Sequence, residues 1–296
     1  MFDLRAPFPY PGGKSSVADV VWAQLGDVDH YIEPFAGGLG VLLGRPQNHV
    51  ASIETVNDAD GYIVNAWRAI QQAPSQTARR ILSRPVSELD LHAWNKQLKQ
   101  CREDGSLEAM AEKLRDDPMY FDVEIAAVWI WGVCAWPGGG WTSKDHERRP
   151  VLARPGRGVH ALKNRDSLQH VFRYLSERLQ HVRICCGDWT RVVTGGENGA
   201  LACGSDVGVF LDPPYSHNER DARLYAHEMP DSTAVRNWAV ENASDRVRVV
   251  LCGMEGEHEM PDDWNSYKWT TNGFGSREVI HFSPTCAGGT EQQQFF

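Results

Sequence analysis

The stretch from His30 to Gln72 limits the folds open to this chain more than any other. "HYIEPFAGG" is a short apolar strand running into a glycine turn. "VASIETVND" is a second run, rich in β-branched residues, that ends in Asn57 and Asp58. From Ala59 to Gln72 the apolar residues return at helical spacing. Upstream, behind the proline- and glycine-rich "PFPYPGGKSS", Val17, Val20, Val21 and Leu25 mark an earlier helix. Strand, turn, helix, strand and helix in this order open a doubly wound nucleotide-binding sheet, so the expected class is α/β.

Residues 73 to 135 change character. Helical periods break at Pro74, Pro85, Gly105 and Pro118, Ser87 with Asp90 resembles a capping box, and no clear strand is present. "WIWGVCAWPGGGWTSKDHERRPVLARPGRGVH" then carries enough Gly, Pro and Arg to be expected as an exposed loop or β-hairpin, although Trp129 and Trp131 suit a helix core. A helix follows from Ser167 to Leu179, and strands return in "HVRICCGDW", "VGVFLDPPY", "RVRVVLCG" and "REVIHFS". The expected layout is a sheet domain, residues 1–70 and 183–296, split by a largely helical insertion, residues 71–182.

A chain of 296 residues with 42% hydrophobic content suits one large α/β unit with an insertion. No run approaches the ~20 apolar residues of a membrane span. The N-terminus lacks a signal-peptide pattern, and seven cysteines without C-x-x-C spacing point to reduced thiols in a cytoplasm. No zinc or other metal site is expected. A net charge of −9 argues at first against nucleic acid, but the charge is unevenly spread. Between Thr142 and Arg183 ten Lys and Arg stand against four Asp and Glu, a local +6. Such a segment matches a phosphate backbone.

Several ligands can be weighed against the glycine turns. "PGGKSS" is not a phosphate-binding P-loop, because Phe8 stands where the first glycine belongs and no strand precedes it. "AGGLG" is not a dinucleotide fingerprint, because the third glycine would fall at Leu43. S-adenosylmethionine has no phosphates and needs only a close backbone approach, with an acid at the next strand end for its ribose hydroxyls. Asp58 stands 21 residues after Gly37, at the right place for that acid. The plainer alternatives are a tight turn at Gly37 and Gly38 and a helix N-cap at Asp58. In "GVFLDPPYSH" the prolines must end the strand, either as a turn or as a site at its carboxyl end.

"PYPGGKSS", "YIEPFAGGLGV", "VNDADGYIVN", "CGDW" and "FLDPPYS" occur in the order found in Dam-like DNA adenine-N6 methyltransferases, which this chain resembles over roughly residues 7–67 and 183–284. The resemblance implies a Rossmann-like sheet that binds S-adenosylmethionine, with target recognition in the insertion. It implies that Tyr10, Gly12 and Lys14 form the N-terminal cofactor motif. Glu33, Pro34, Phe35, Gly37 and Gly38 then form the turn at the methionyl group. Asp58 resembles the ribose-binding acid and Asp188 the acid at the cofactor's adenine amino group. Asp212, Pro213, Pro214 and Tyr215 resemble the catalytic tetrapeptide, with Asp212 also near the cofactor. Pro9 departs from the pattern, since several relatives carry a basic residue there.

The tetrapeptide's chemistry can be argued from its atoms. Adenine N6 is a poor nucleophile because its lone pair is conjugated into the ring. The Asp212 carboxylate can accept one N6–H and the Pro213 carbonyl the other, which favours a pyramidal nitrogen. Tyr215 offers a face for an extruded base. In the insertion, Trp136 and Trp141 flank a loop that could enter a groove. Lys144, Arg148, Arg149, Arg154 and Arg157 suit phosphates more than base edges. His217 and Asn218 belong to a surface loop that could close over the site. The expected activity is methylation of adenine N6 in double-stranded DNA, in a restriction–modification or phage setting. N4-cytosine or RNA-adenine transfer, a non-catalytic DNA-binding relative, and a small-molecule methyltransferase are the alternatives.

Overall fold

The computed structural model describes residues 4–143, 149–151, 158–161, 165–194, 201, 205–215, 232–270 and 277–286. Seven strands form one sheet: β1 (Val28–Glu33), β2 (Ala51–Asp58), β3 (Val182–Cys186), β4 (Val207–Leu211), β5 (Val247–Met254), β6 (Asn265–Thr270) and β7 (Arg277–Phe282). Their order is β3-β2-β1-β4-β5-β7-β6. The first five strands pair in parallel, whereas β7 runs antiparallel to both β5 and β6. This is a mixed α/β fold with a mostly parallel sheet, of the Rossmann-like class expected from the sequence.

Both faces of the sheet are apolar, and alternate residues serve opposite sides. Tyr31, Phe210, Val250 and Cys252 share one core cluster, while Ile32, Val209, Leu211, Val249 and Leu251 belong to the other. Burial on both sides explains why β4 reads as a continuous apolar run. A slip of one residue would exchange the two faces, so the register of Ile32 with Thr55 and Val209 is firmly set.

The helices are α1 (Ala18–Leu25), α2 (Gly40–Leu43), α3 (Gly61–Gln72), α4 (Pro74–Leu82), α5 (Glu88–Glu103), α6 (Ser106–Asp116), α7 (Val123–Ala135), α8 (Arg165–Leu179) and α9 (Ser232–Asn242). Local chemistry fixes several starts. Asp60 caps α3 through the Tyr62 N–H, Ser87 caps α5 through the Asp90 N–H, and Asp122 caps α7 through the Ile125 N–H. Pro74 opens α4 instead of breaking a helix, because the first helical position needs no donor.

The helices between residues 71 and 182 lie against α3. α7 and α8 both pack on α3 and on α4, and Leu98, Trp131 and Phe172 share one core with Tyr31 and Val56 of the sheet. Arg178 of α8 holds Glu54 of β2 through two hydrogen bonds of 2.6 Å, and Gln71 donates to the carbonyls of Leu179 and Val182.

The segment beginning "WIWGVCA" differs from the expected exposed loop. Its first seven residues complete α7, which is apolar on all sides and buried from Ala126 to Gly132. Trp136 and Trp141 are also buried, with their rings 5.1 Å apart. Gly132 permits this, since a Cβ there would come within 2.0 Å of the Trp141 ring. The Asn95 amide secures the same turn by donating to the Trp141 carbonyl at 2.7 Å. Glycines here serve close packing, and the two tryptophans do not stand free on the surface. Among the described residues no helix is long and apolar enough to cross a membrane.

Candidate active site

Between β1 and β4 the strand order reverses direction, and a crevice opens beyond the carboxyl ends of the parallel strands. It encloses about 1070 Å³ of space, counting the part open to solvent. β1 delivers Glu33, β2 delivers Asn57 and Asp58, β3 leads to Gly187 and Asp188, and β4 leads to Asp212. Every residue expected at the cofactor and catalytic positions lines this one cleft: Tyr10, Gly12, Lys14, Glu33, Pro34, Phe35, Gly37, Gly38, Asp58, Asp188, Asp212, Pro213, Pro214 and Tyr215.

The glycine turn after β1 is shaped by close approach of side chains. Gly37 has φ +44°, and a Cβ there would sit 2.5 Å from the Tyr10 ring. The N-terminal motif therefore folds over the turn and forms part of the same wall. Leu39 follows in a left-handed conformation (φ 53°) although fully buried, a strained entry to α2 beside the cleft. The turn is held from below by Asp58, whose carboxylate accepts the Gly37 N–H at 2.9 Å and the Asp60 N–H at 2.9 Å. The cap of α3 is Asp60, so Asp58 is not spent as a helix N-cap.

The acids in the cleft differ in environment. Burial pushes the Glu33 carboxyl up to about 8, against hydrogen bonds from the Tyr31 hydroxyl and the Leu42 N–H, so it holds its proton at neutral pH. Burial likewise raises Asp58 to about 7, opposed by the backbone N–H groups it accepts. Asp188 is exposed along the cleft wall, where it caps a short turn by accepting the Thr190 N–H at 2.9 Å.

Asp212 closes the other end. Its carboxylate meets Lys14 Nζ at 2.8 and 2.9 Å and accepts the Tyr215 hydroxyl at 2.9 Å. Lys14 is buried and also donates to the Gly12 carbonyl at 2.7 Å. Burial would lower its pKa, but the neighbouring anions, Asp212 first, outweigh that and hold the ammonium charged. Tyr215 does not present its ring to the cleft as a stacking face for a base would. Instead it is 4% exposed, with Lys14 lying 5.2 Å from its ring centre.

Sequence reasoning missed three contributors. Asn57 donates to the carbonyls of Pro34 and Gly187, tying together the ends of β1, β2 and β3. Trp189 lines the cleft beside Phe35, ring centres 5.9 Å apart, and is backed edge-on by Trp238. Glu278 reaches both Lys14 and Tyr215. Trp189 was legible beside Asp188, because an aromatic following a cleft acid supplies a face for a planar ring. Of the residues expected at DNA, Trp136 and Trp141 are core, and Arg149 is exposed. Lys144, Arg148, Arg154, Arg157, His217 and Asn218 lie outside the described residues.

The cleft brings together a tight glycine turn, a buried acid at the end of β2, an aromatic wall, and an acid–proline–proline–tyrosine end, a set of groups that fits S-adenosylmethionine. Residues 10–122 match the family model described as D12 class N6 adenine-specific DNA methyltransferase. That match spans the glycine turn and Asp58 and runs past α6 to the start of α7. No curated protein matches the chain.

Proposed function

We propose, for a chain whose residues 10–122 match the family model of D12 class N6 adenine-specific DNA methyltransferases, that it methylates adenine at chosen sites in double-stranded DNA after extruding the base. The observation that carries this reading is Asp212 at the end of β4, in the same cleft as the Gly37 turn and Asp58. S-adenosylmethionine supplies an electrophilic methyl group on a sulfonium. The chain's residues do the rest. Gly37, Gly38 and Glu33 receive the methionyl end, Asp58 the ribose, and Phe35 with Trp189 the adenine ring. Asp212 accepts one N6–H and the Pro213 carbonyl the other, turning the nitrogen lone pair out of conjugation. The prolines keep these acceptors stiff, since neither can be drawn into the ladder. Tyr215 holds the Asp212 carboxylate in place through its hydroxyl. The helices from 71 to 182 carry target recognition, with Arg149 and the cations Lys144, Arg148, Arg154 and Arg157 on phosphates.

Asp212→Asn separates the chemical role from the binding role. Asparagine keeps the shape but weakens the acceptor, so the turnover number should fall about 100-fold or more. Cofactor affinity by calorimetry should change comparatively little, because Asp58 and the glycine turn remain. Near wild-type turnover in this variant contradicts the assignment.

A further inference from the structure

Four groups meet at the wall of the cleft, the first three of them lining it: Lys14, Asp212, Tyr215 and Glu278. Glu278 arrives there by topology. It is the second residue of β7, which runs antiparallel to β5, so β7 begins where β5 ends and Glu278 stands opposite Met254. Its side chain is 4% exposed, and a carboxylate buried that deeply persists only with strong partners. Those partners are the same two donors that Asp212 holds. Lys14 Nζ lies 2.8 and 2.9 Å from the Asp212 oxygens and 3.3 Å from Glu278 Oε2. The Tyr215 hydroxyl lies 2.9 Å from Asp212 Oδ1 and 3.3 Å from that same Glu278 oxygen. Asp212 therefore has both donors at close range, while Glu278 faces both at a distance that a small shift would close.

This creates a competition at the atom on which the chemistry depends. An entering amine must find an Asp212 oxygen that Lys14 and Tyr215 already occupy. Lys14 is buried, so water cannot take over its charge. We propose that Glu278 is a positioning residue that draws Lys14 and Tyr215 off Asp212 as the target amine arrives, leaving an Asp212 oxygen to accept the amine N–H. The inference rests on the amine-transfer reading above. No proton changes owner in the exchange: two hydrogen bonds change acceptor, and Lys14 stays an ammonium.

A double-mutant cycle tests the idea, because a shared competition makes two losses non-additive. Glu278→Gln removes the charge that attracts Lys14, so turnover should fall at least tenfold, with cofactor affinity and the thermal midpoint near wild type. Tyr215→Phe keeps the ring but deletes one competing donor. In that background only Lys14 still competes for Asp212, so Glu278→Gln should cost measurably less than it does in the wild type. Glu278→Asp, which keeps the charge, should recover most of the loss. If Glu278→Gln does not fold, the same cycle is run with Glu278→Met, which also lacks the charge and fills a similar volume. Equal fold-losses in the two backgrounds, or unchanged turnover in Glu278→Gln, overturn the proposal. Wild-type transfer to an exocyclic amine of either adenine or cytosine is the control. Its absence overturns the functional reading and this inference with it, whereas additive losses in an active enzyme overturn this inference alone.

Discussion

Asp58 has one structural task, and the proposed function gives the same carboxylate a second. It holds the Gly37 N–H from below, and its position in the cleft suits paired ribose hydroxyls. Burial raises it to about 7, so near neutrality a substantial fraction is protonated. The anion is the better acceptor, and it is present above that value and lost as pH falls through it. S-adenosylmethionine should therefore bind more tightly at pH 8 than at pH 6. Asp58→Asn should remove that part of the dependence, and Asp58→Ala should cost about 1.5–3 kcal/mol of binding. Calorimetry across the pH range checks both; identical pH profiles for wild type and Asp58→Asn would place the ribose elsewhere. Most single residues of the cleft were legible because they sit in local motifs: "EPFAGG", "VND" and "DPPY" each join a strand end to a turn. Glu278 was not, since its role comes from a partner 63 residues away and from strand direction. Asn57 was equally silent, because its two acceptors belong to other strands.

At the scale of elements, the alternation of β1, β2 and α3 was readable from periodicity, and so were β3, β4, β5 and β7. β6 and α9 were not, for "NSYKWT" is a half-exposed edge strand of mixed polarity and α9 buries only Val235 and Ala239 deeply. The largest departure lies at the end of α7, where Gly and Pro suggest exposure. Gly132 instead lets the Trp141 indole lie against the helix, and the turn it anchors becomes core. Such packing depends on residues that meet only in three dimensions. Trp141→Ala should accordingly behave as a core truncation and cost about 3–5 kcal/mol of stability in urea denaturation. A loss under about 1 kcal/mol, on the order of an exposed substitution, would return Trp141 to the surface.

For the whole molecule, the proposed function requires a chain of net charge −9 to hold a polyanion. Part of the local excess of cations between Thr142 and Arg183 is spent internally, since Arg178 is paired with Glu54. The remaining charge, including exposed Arg149, is what is left for a phosphate backbone. Neutralising Arg148, Arg149, Arg154 and Arg157 together should weaken duplex binding and reduce the salt slope by about 3 to 4, roughly 0.9 for each phosphate no longer neutralised. An unchanged slope would move the DNA-facing surface to another part of the chain. The identity of the methylated product decides whether this cleft acts on DNA adenine, and nucleoside mass spectrometry of duplex DNA incubated with the protein and S-adenosylmethionine reads it. N6-methyladenine at defined sites, absent with Asp212→Asn, is the expected result; methyl groups found only on N4 of cytosine, or only when RNA is supplied, would contradict it.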